Sequence, residues 1–377
     1  MGEGRPDVDT PTPRRHRHRH RWFRLARRRQ AGVNTAAASM KTRALNVVAA
    51  SGESTACSRR AFLQRTVGIG AGLALGDPVV RAVAGEGTAL PTRILGRTGA
   101  RVTILGLGTA PIGEARVEVP KAVRIFSEVI DRGVNYVDTA RIYGIAEEAL
   151  GQVLATRRDR IFLVTKVWVE TAADAEKSLT ESLRTLKVDH VDLVHIHHVG
   201  GKSLDRVLAK DGVLEYLVKQ KAAGKLRFIG ISGHARPPLF VRMLETDQID
   251  VVMAVMNYAD RNIYDFEGKV LPECRKRNVG VVAMKVYAGI QGGFPNHRKA
   301  WVGCNTPPEF LPQALAYALD LPGVSVANIG PFTLEEAIRN VDLARQHQPL
   351  TESDRAALLE RGRQLAPKLG PRYGPVA

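Results

Sequence analysis

The chain has 377 residues, 44% of them hydrophobic and 25% charged, and a formal net charge of +17. Residues 1–84 hold 16 Lys+Arg against 5 Asp+Glu, so +11 of that charge sits there and residues 85–377 keep +6. Such a remainder on a large domain is ordinary solvation, and it excludes a nucleic-acid-binding face as the source of the basicity. Of three cysteines, Cys57 lies ahead of residue 85, and Cys274 and Cys304 belong to no C-x-x-C pair; the one disulfide they could form is not assignable from sequence.

Residues 1–39, with P-R-R-H-R-H-R-H-R-W-F-R, are low in complexity and cannot build a core. They read as a disordered basic extension, or as an over-long start ahead of Met40. Residues 40–84 read as a signal peptide. Ser58-Arg59-Arg60-Ala61-Phe62-Leu63 precedes the weakly apolar run T-V-G-I-G-A-G-L-A-L-G, and Ala82-Val83-Ala84 supplies an A-x-A site with cleavage expected after Ala84. The paired arginines before Phe-Leu resemble a twin-arginine (Tat) export signal. The run is too short and glycine-rich to span a bilayer. An extracytoplasmic location, periplasmic in a bacterium, and a transient partnership with the export machinery are the expectations.

Residues 85–377 are long for one core unless the fold is a (β/α)8 barrel, typically about 250 residues. T-R-I-L-G-R-T-G-A-R-V-T predicts a β-hairpin, turning between Gly96 and Gly99, that caps the bottom of the barrel. Eight short apolar runs follow: V-T-I-L-G-L-G, V-N-Y-V-D, I-F-L-V-T-K, V-D-L-V-H-I-H, R-F-I-G-I-S, V-V-M-A-V-M, V-G-V-V-A-M-K and V-S-V-A-N-I. Amphipathic segments such as A-A-D-A-E-K-S-L-T-E-S-L-R-T-L separate them. Runs apolar on both faces suit parallel strands covered by helices. Counting eight units predicts a (β/α)8 TIM barrel, and residues 351–365 add a C-terminal extra helix. No G-x-G-x-x-G follows the first strand, so a Rossmann domain lacks its fingerprint.

Chemistry in such barrels gathers at the C-terminal strand ends. Strand two ends at Asp138, with Tyr143 in its loop; strand three ends at Lys166 and strand four at His197. Four titratable groups from three consecutive strands therefore face one another. Period two places His195 and His197 on one strand face. It leaves His198 to start the loop or face the helices as a bystander.

These residues carry a family resemblance. G-V-N-Y-V-D-T-A-R-I-Y-G, then A-E-E-A-L-G, V-T-K and D-L-V-H-I-H, with L-G-R-T-G and L-G-L-G-T before them, resemble the aldo-keto reductases across residues 90–350. The resemblance implies NAD(P)H-dependent reduction of a small carbonyl compound, with Asp138, Tyr143, Lys166 and His197 as the tetrad and Tyr143 as proton donor. It implies a cofactor, NADP or NAD, held by Gly108, Thr109, Asp138, Ser232, Gly233, Met253, Met284, Lys285, Gly330, Thr333 and Asn340, and no metal. The family's Ser-Asn after strand five is Ser232-Gly233 here, its strand-six Gln is Met253, and its stacking aromatic is Met284. Glu336 stands where the family has a basic contact to the 2′-phosphate, with Arg339 nearby to compensate. A nearby ammonium at Lys166 is expected to lower the phenol pKa of Tyr143, ordinarily about 10.

Two alternatives remain. One is a non-catalytic binding protein on the same fold. The other is a zinc-dependent barrel hydrolase using His195-x-His197, although Lys166 precedes that pair and few histidines follow beyond His198: His234, His297 and His347. The substrate pocket is expected from the loops holding Tyr258, Tyr287, Phe294 and Trp301.

Overall fold

The computed structural model describes residues 89–115, 117–292 and 303–377. The basic extension, the twin-arginine segment, the Ala84 cleavage site, Phe294 and Trp301 lie outside the described residues.

The first two strands, β1 (Thr92–Ile94) and β2 (Arg101–Thr103), pair antiparallel around a short 3-10 turn, Gly96–Thr98. Gly96 and Gly99 both take positive φ, at 47° and 67°. At Gly96 a β-carbon would collide with the backbone of Asn278, Val279 and Gly280, so the turn lies flat on the barrel's N-terminal rim. The Arg97 guanidinium fixes it there through the carbonyls of Asp247, at 2.9 Å, and Ile249.

Eight parallel strands close the barrel: β3 (Leu105–Gly108), β4 (Tyr136–Asp138), β5 (Phe162–Val167), β6 (Val191–Ile196), β7 (Leu226–Gly233), β8 (Val251–Val255), β9 (Gly280–Met284) and β10 (Val324–Ile329), which returns to pair with β3. Strands β5, β6, β9 and β10 are buried at every position, as their two-faced apolar runs require. The expected hairpin cap and eight-stranded barrel are both present.

Twelve helices complete the described fold: α1 (Ala110–Glu114), α2 (Val119–Asp131), α3 (Ala146–Arg157), α4 (Ala172–Leu186), α5 (Leu204–Val207), α6 (Val213–Ala222), α7 (Pro237–Leu244), α8 (Phe266–Lys269), α9 (Leu271–Lys276), α10 (Leu311–Leu319), α11 (Leu334–Arg345) and α12 (Glu352–Leu369). In α4 the Thr171 hydroxyl accepts from the Asp174 N–H at 3.2 Å, capping the first turn. Ala175, Leu179, Ser182 and Leu186 then recur at three- and four-residue intervals on its buried stripe, and Lys187 ends it in the left-handed region. The final helix runs to Leu369, four residues past the predicted end, and residues 370–377 turn back across the barrel. No described helix is long and apolar enough to cross a membrane.

Candidate active site

The register of the strands explains how three sequence-distant groups meet. Pairing sets Asp138 beside Val164 and Lys166 beside His195, so interior-facing side chains of β4, β5 and β6 rise to the same rim. There the Lys166 ammonium donates to Asp138 Oδ1 at 2.6 Å and to the Thr139 carbonyl at 2.9 Å, and both side chains are almost fully buried. The Asn328 amide donates to the other carboxylate oxygen, Oδ2, at 3.0 Å. Removing two ions from water costs several kcal/mol each unless every polar atom finds a partner. Here Asp138 has a partner on each oxygen.

Tyr143 reaches this cluster from the loop after β4. The loop is braced by α1: the Ile145 N–H donates to the Gly113 carbonyl at 3.0 Å. A β-carbon on Gly113 would overlap the Tyr143 carbonyl, and one on Gly144, whose φ is +50°, would overlap the Gly113 carbonyl. Two glycines are therefore needed for the helix and the loop to touch. Lys166 Nζ lies 4.7 Å from the centroid of the Tyr143 ring, whose edge faces His197 at 5.7 Å and 85°.

Burial dominates the titration of this cluster. It raises Asp138 and lowers Lys166, each opposed by the charge of the other. It holds His197 well below the ordinary imidazole range, with Lys166 adding to the effect. The expected lowering of Tyr143 is not what the structure gives. Its phenol is raised well above 10 by burial first, then by the carboxylates of Asp138 and Glu114. The ammonium lies 4.7 Å from the ring centroid and no hydrogen bond joins Tyr143 to Lys166 or His197 among the described residues, so burial outweighs the pull of Lys166 on the phenolate.

These groups line one end of a cavity of about 780 Å³, a size suited to a cofactor and a small ligand. Gly108, Asp138, Tyr143, His197, Met253, Met284, Lys285, Gly330 and Asn340 all reach its wall. Thr109, Lys166, Ser232, Gly233 and Thr333 stand behind it. Thr109 is buried, and its hydroxyl donates to the Asp138 carbonyl at 3.0 Å. Thr333 instead caps α11, accepting from the Glu336 N–H at 3.2 Å, while the Glu336 carboxylate accepts from the Phe332 N–H at 2.8 Å. That reciprocal arrangement is a capping box in all but a one-residue offset. The Arg339 guanidinium approaches Glu336 at 3.9 Å. The acid at the expected 2′-phosphate position therefore already holds a backbone donor and a nearby cation.

His198 departs from the expected bystander role. It takes the left-handed region, φ 60°, which ends the strand's alternation and returns its ring to the cavity wall. The ring stacks on Trp168 at 5.1 Å. His195 and His197 do share the interior face, but His195 lies below the cavity in the space that glycine leaves at Gly230. Among the described residues no group of three or more His, Cys, Asp or Glu is arranged to hold a metal ion.

Among the wall residues that escaped the sequence reading are Glu114, Trp168, Asn328 and Tyr373. Asn328 is the last residue but one of β10, and Trp168 is the first residue past β5, so both lie at the C-terminal strand ends. Tyr373 carries no such signal. It arrives from residues 370–377, anchored by the Arg372 guanidinium on both oxygens of Asp260, each at 2.8 Å.

Residues 104–299 match the Aldo/keto reductase family. The chain is 31% identical over 216 residues to L-galactose dehydrogenase of Arabidopsis thaliana, a match spanning 52% of this chain and 65% of that protein. Its fold superposes on an aldo-keto reductase from Bacillus halodurans in its holo form, with TM-score 0.59, 27% identity and coverage of 72% of this chain and 96% of that one. It is also similar to an aldo/keto reductase from Klebsiella pneumoniae in complex with NADP and acetate, with TM-score 0.58, 25% identity and coverage of 75% and 98%. With the family matched over more than half its length and the barrel closed as in those relatives, the chain belongs to the aldo/keto reductase family.

Proposed function

We propose that the protein reduces an aldehyde or ketone with a nicotinamide dinucleotide, with Tyr143 as the proton donor. The observation that carries this reading is the buried Asp138–Lys166 pair, its ammonium 4.7 Å from the Tyr143 ring centroid, beside His197 at a cofactor-sized cavity.

The cavity residues fit such a cofactor. Gly108 and Gly330 approach so closely that a β-carbon on Gly330 would overlap Pro111 and the Gly108 carbonyl, leaving bare backbone on the wall. Asn328 Oδ1, on the cavity wall, is a buried polar atom with no hydrogen-bond partner among the described residues, suited to a carboxamide. Arg339 and the start of α11 are placed for phosphate. When bound, the nicotinamide supplies the hydride. NADP(H) is the form bound by the Klebsiella pneumoniae relative, and Arg339 beside Glu336 supports it here alongside NAD(H).

The residues divide the remaining work. Hydride arrival turns the carbonyl oxygen into an alkoxide, and Tyr143 passes its proton to that oxygen. A phenol raised well above 10 is fully protonated at neutral pH, so the donor is always loaded. Lys166 attracts the phenolate as it forms, and Asp138 holds Lys166 in place. Neutral His197 offers one N–H to the carbonyl oxygen, orienting it and countering its developing charge.

The test is a fluorescence titration of the purified protein with NADPH and, separately, NADH, followed by a carbonyl screen of wild type and Tyr143→Phe. Tyr143→Phe is expected to keep cofactor affinity and lose turnover; normal turnover in that variant sinks the assignment. We further propose that residues 40–84 direct export through the twin-arginine route, on the strength of the Arg59-Arg60-Ala61-Phe62-Leu63 pattern and the A-x-A site at Ala84. A reporter fused behind residues 40–84 that stays cytoplasmic in a host with a working twin-arginine translocase overturns that proposal.

A further inference from the structure

Lys285 follows β9 in a conformation that lysine seldom takes, with φ +58°. Its carbonyl is held by the Asn257 amide at 3.0 Å and by the Gly289 N–H at 3.3 Å, so the backbone is fixed. A side chain in left-handed backbone is strained, and such strain collects where a group must be aimed. Lys285 lines the cavity with Tyr143, His197 and His234. The charges that act on it most strongly belong to Glu114 on α1, Arg372 in the C-terminal segment, Lys166 on β5 and Asp260 in the loop after β8. Lys285 in turn bears on Asp138 and His234. This cation lines the same cavity as Asp138, Tyr143 and His197, whose wall also carries Arg339 and Asn340 of α11.

We infer that Lys285 binds an anionic group, a carboxylate, on the carbonyl substrate, so that 2-oxo acids and aldehydo acids are preferred over neutral carbonyls. This rests on the reductase reading above. A half-buried ammonium on a cavity wall binds an anion more strongly than an exposed one, because less solvent competes for it. Glu114 balances the charge before substrate arrives. Burial brings the Lys285 pKa down to about 8, against Glu114 and Asp260 and with Arg372 and Lys166, so the anion preference fades as pH rises through that value.

The experiment compares pyruvate, succinic semialdehyde and 4-carboxybenzaldehyde with their own methyl esters, using the full purified chain saturated with NADPH. Lys285→Met and Lys285→Arg are run beside wild type, with melting curves to confirm folding and NADPH titrations to read cofactor affinity. Wild type is expected to favour at least one acid over its ester by about tenfold or more in kcat/KM, the scale of one charge-assisted contact. Lys285→Met should erase that ratio and Lys285→Arg should retain part of it, each read at saturating NADPH so that any change in cofactor affinity is set apart from the choice between acid and ester. Equal use of acids and esters by wild type overturns the inference, as does a ratio that survives Lys285→Met. Weakened NADPH binding in Lys285→Met with an unchanged ratio overturns it too, by assigning Lys285 to the cofactor diphosphate. Wild type that binds NADPH yet turns over none of the carbonyls sinks the reductase reading itself.

Discussion

Asn328 and Asp138 are joined across the barrel mouth by a hydrogen bond of 3.0 Å, the amide of β10 donating to the carboxylate oxygen that Lys166 does not use. A carboxylate this deeply buried needs both oxygens satisfied. Asn328→Leu leaves one oxygen bare. On the reductase reading, kcat should fall about 10- to 100-fold, the cost of one hydrogen bond to a charged group, while Asn328→Gln should recover part of the loss. Steady-state kinetics at saturating cofactor decide it, and an unchanged kcat in Asn328→Leu means that Asp138 does not depend on β10.

The Tyr143 phenol is raised by burial, Asp138 and Glu114. A proton donor with a raised pKa is active below that pKa and fails only above it. The rate for a neutral carbonyl should therefore show no alkaline limb up to about pH 9, below the ordinary phenol value. A limb near pH 7 in the pH–rate profile would show instead that Lys166 lowers the phenol in the working complex.

Gly113 has no room for a side chain against the Tyr143 carbonyl. Gly113→Ala should displace the loop that carries Tyr143 and reduce kcat by about 10- to 100-fold, the penalty of roughly 1 Å of misplacement. Melting temperature should move far less than kcat, because the barrel strands are untouched. A variant with full activity would show that the loop can shift without cost.

Asp260 is fully buried and pairs with Arg372 through two bonds. Arg372→Met strands that charge, at a cost of about 3–5 kcal/mol. The thermal midpoint should drop by roughly 10 °C, and Asp260→Asn added to Arg372→Met should restore part of it. Equal melting of wild type and the single variant rules out the pair as an anchor.

Glu267 offers a stability test away from the site. Burial raises its pKa to about 7, with the Tyr317 hydroxyl donating to it at 2.6 Å. A carboxyl raised on folding favours the folded state below its unfolded value near 4.5, and that contribution is lost as pH rises through 7. Between pH 5 and pH 8, wild type should lose melting temperature relative to Glu267→Gln by on the order of a few degrees. Parallel melting profiles would refute the shift.

What the sequence showed, it showed through strand ends. Asp138, Lys166 and His197 each close an apolar run, so period and position placed them before any coordinates did. Asn328 sits one residue inside the end of the eighth run, and asparagine does not titrate, so neither position nor chemistry marks it. His198 was hidden by a backbone choice: one left-handed residue reverses the face, and no pattern in V-H-I-H-H-V announces it. The Tyr143 shift was misjudged because sequence supplies neighbours but not depth, and depth decided the sign. Tyr373 lies 230 residues from Tyr143 on the chain, and a contact at that range leaves no local mark.

The segment that brings Tyr373 to the cavity has no helix or strand of its own, and it rests on a few contacts. They include the Arg372–Asp260 pair, the Arg372 guanidinium on the Ala288 carbonyl at 3.1 Å, the Tyr373 N–H on the Tyr264 hydroxyl at 2.7 Å, and the Arg236 N–H on the Pro375 carbonyl at 3.1 Å. The barrel, by contrast, is closed by eight continuous ladders. A peripheral strap of this kind opens at lower free energy than the core it covers. On warming, one wall of the pocket should loosen while the barrel is still intact. Heat should therefore inactivate the protein before it melts it, and deuterium should enter residues 371–376 ahead of every strand.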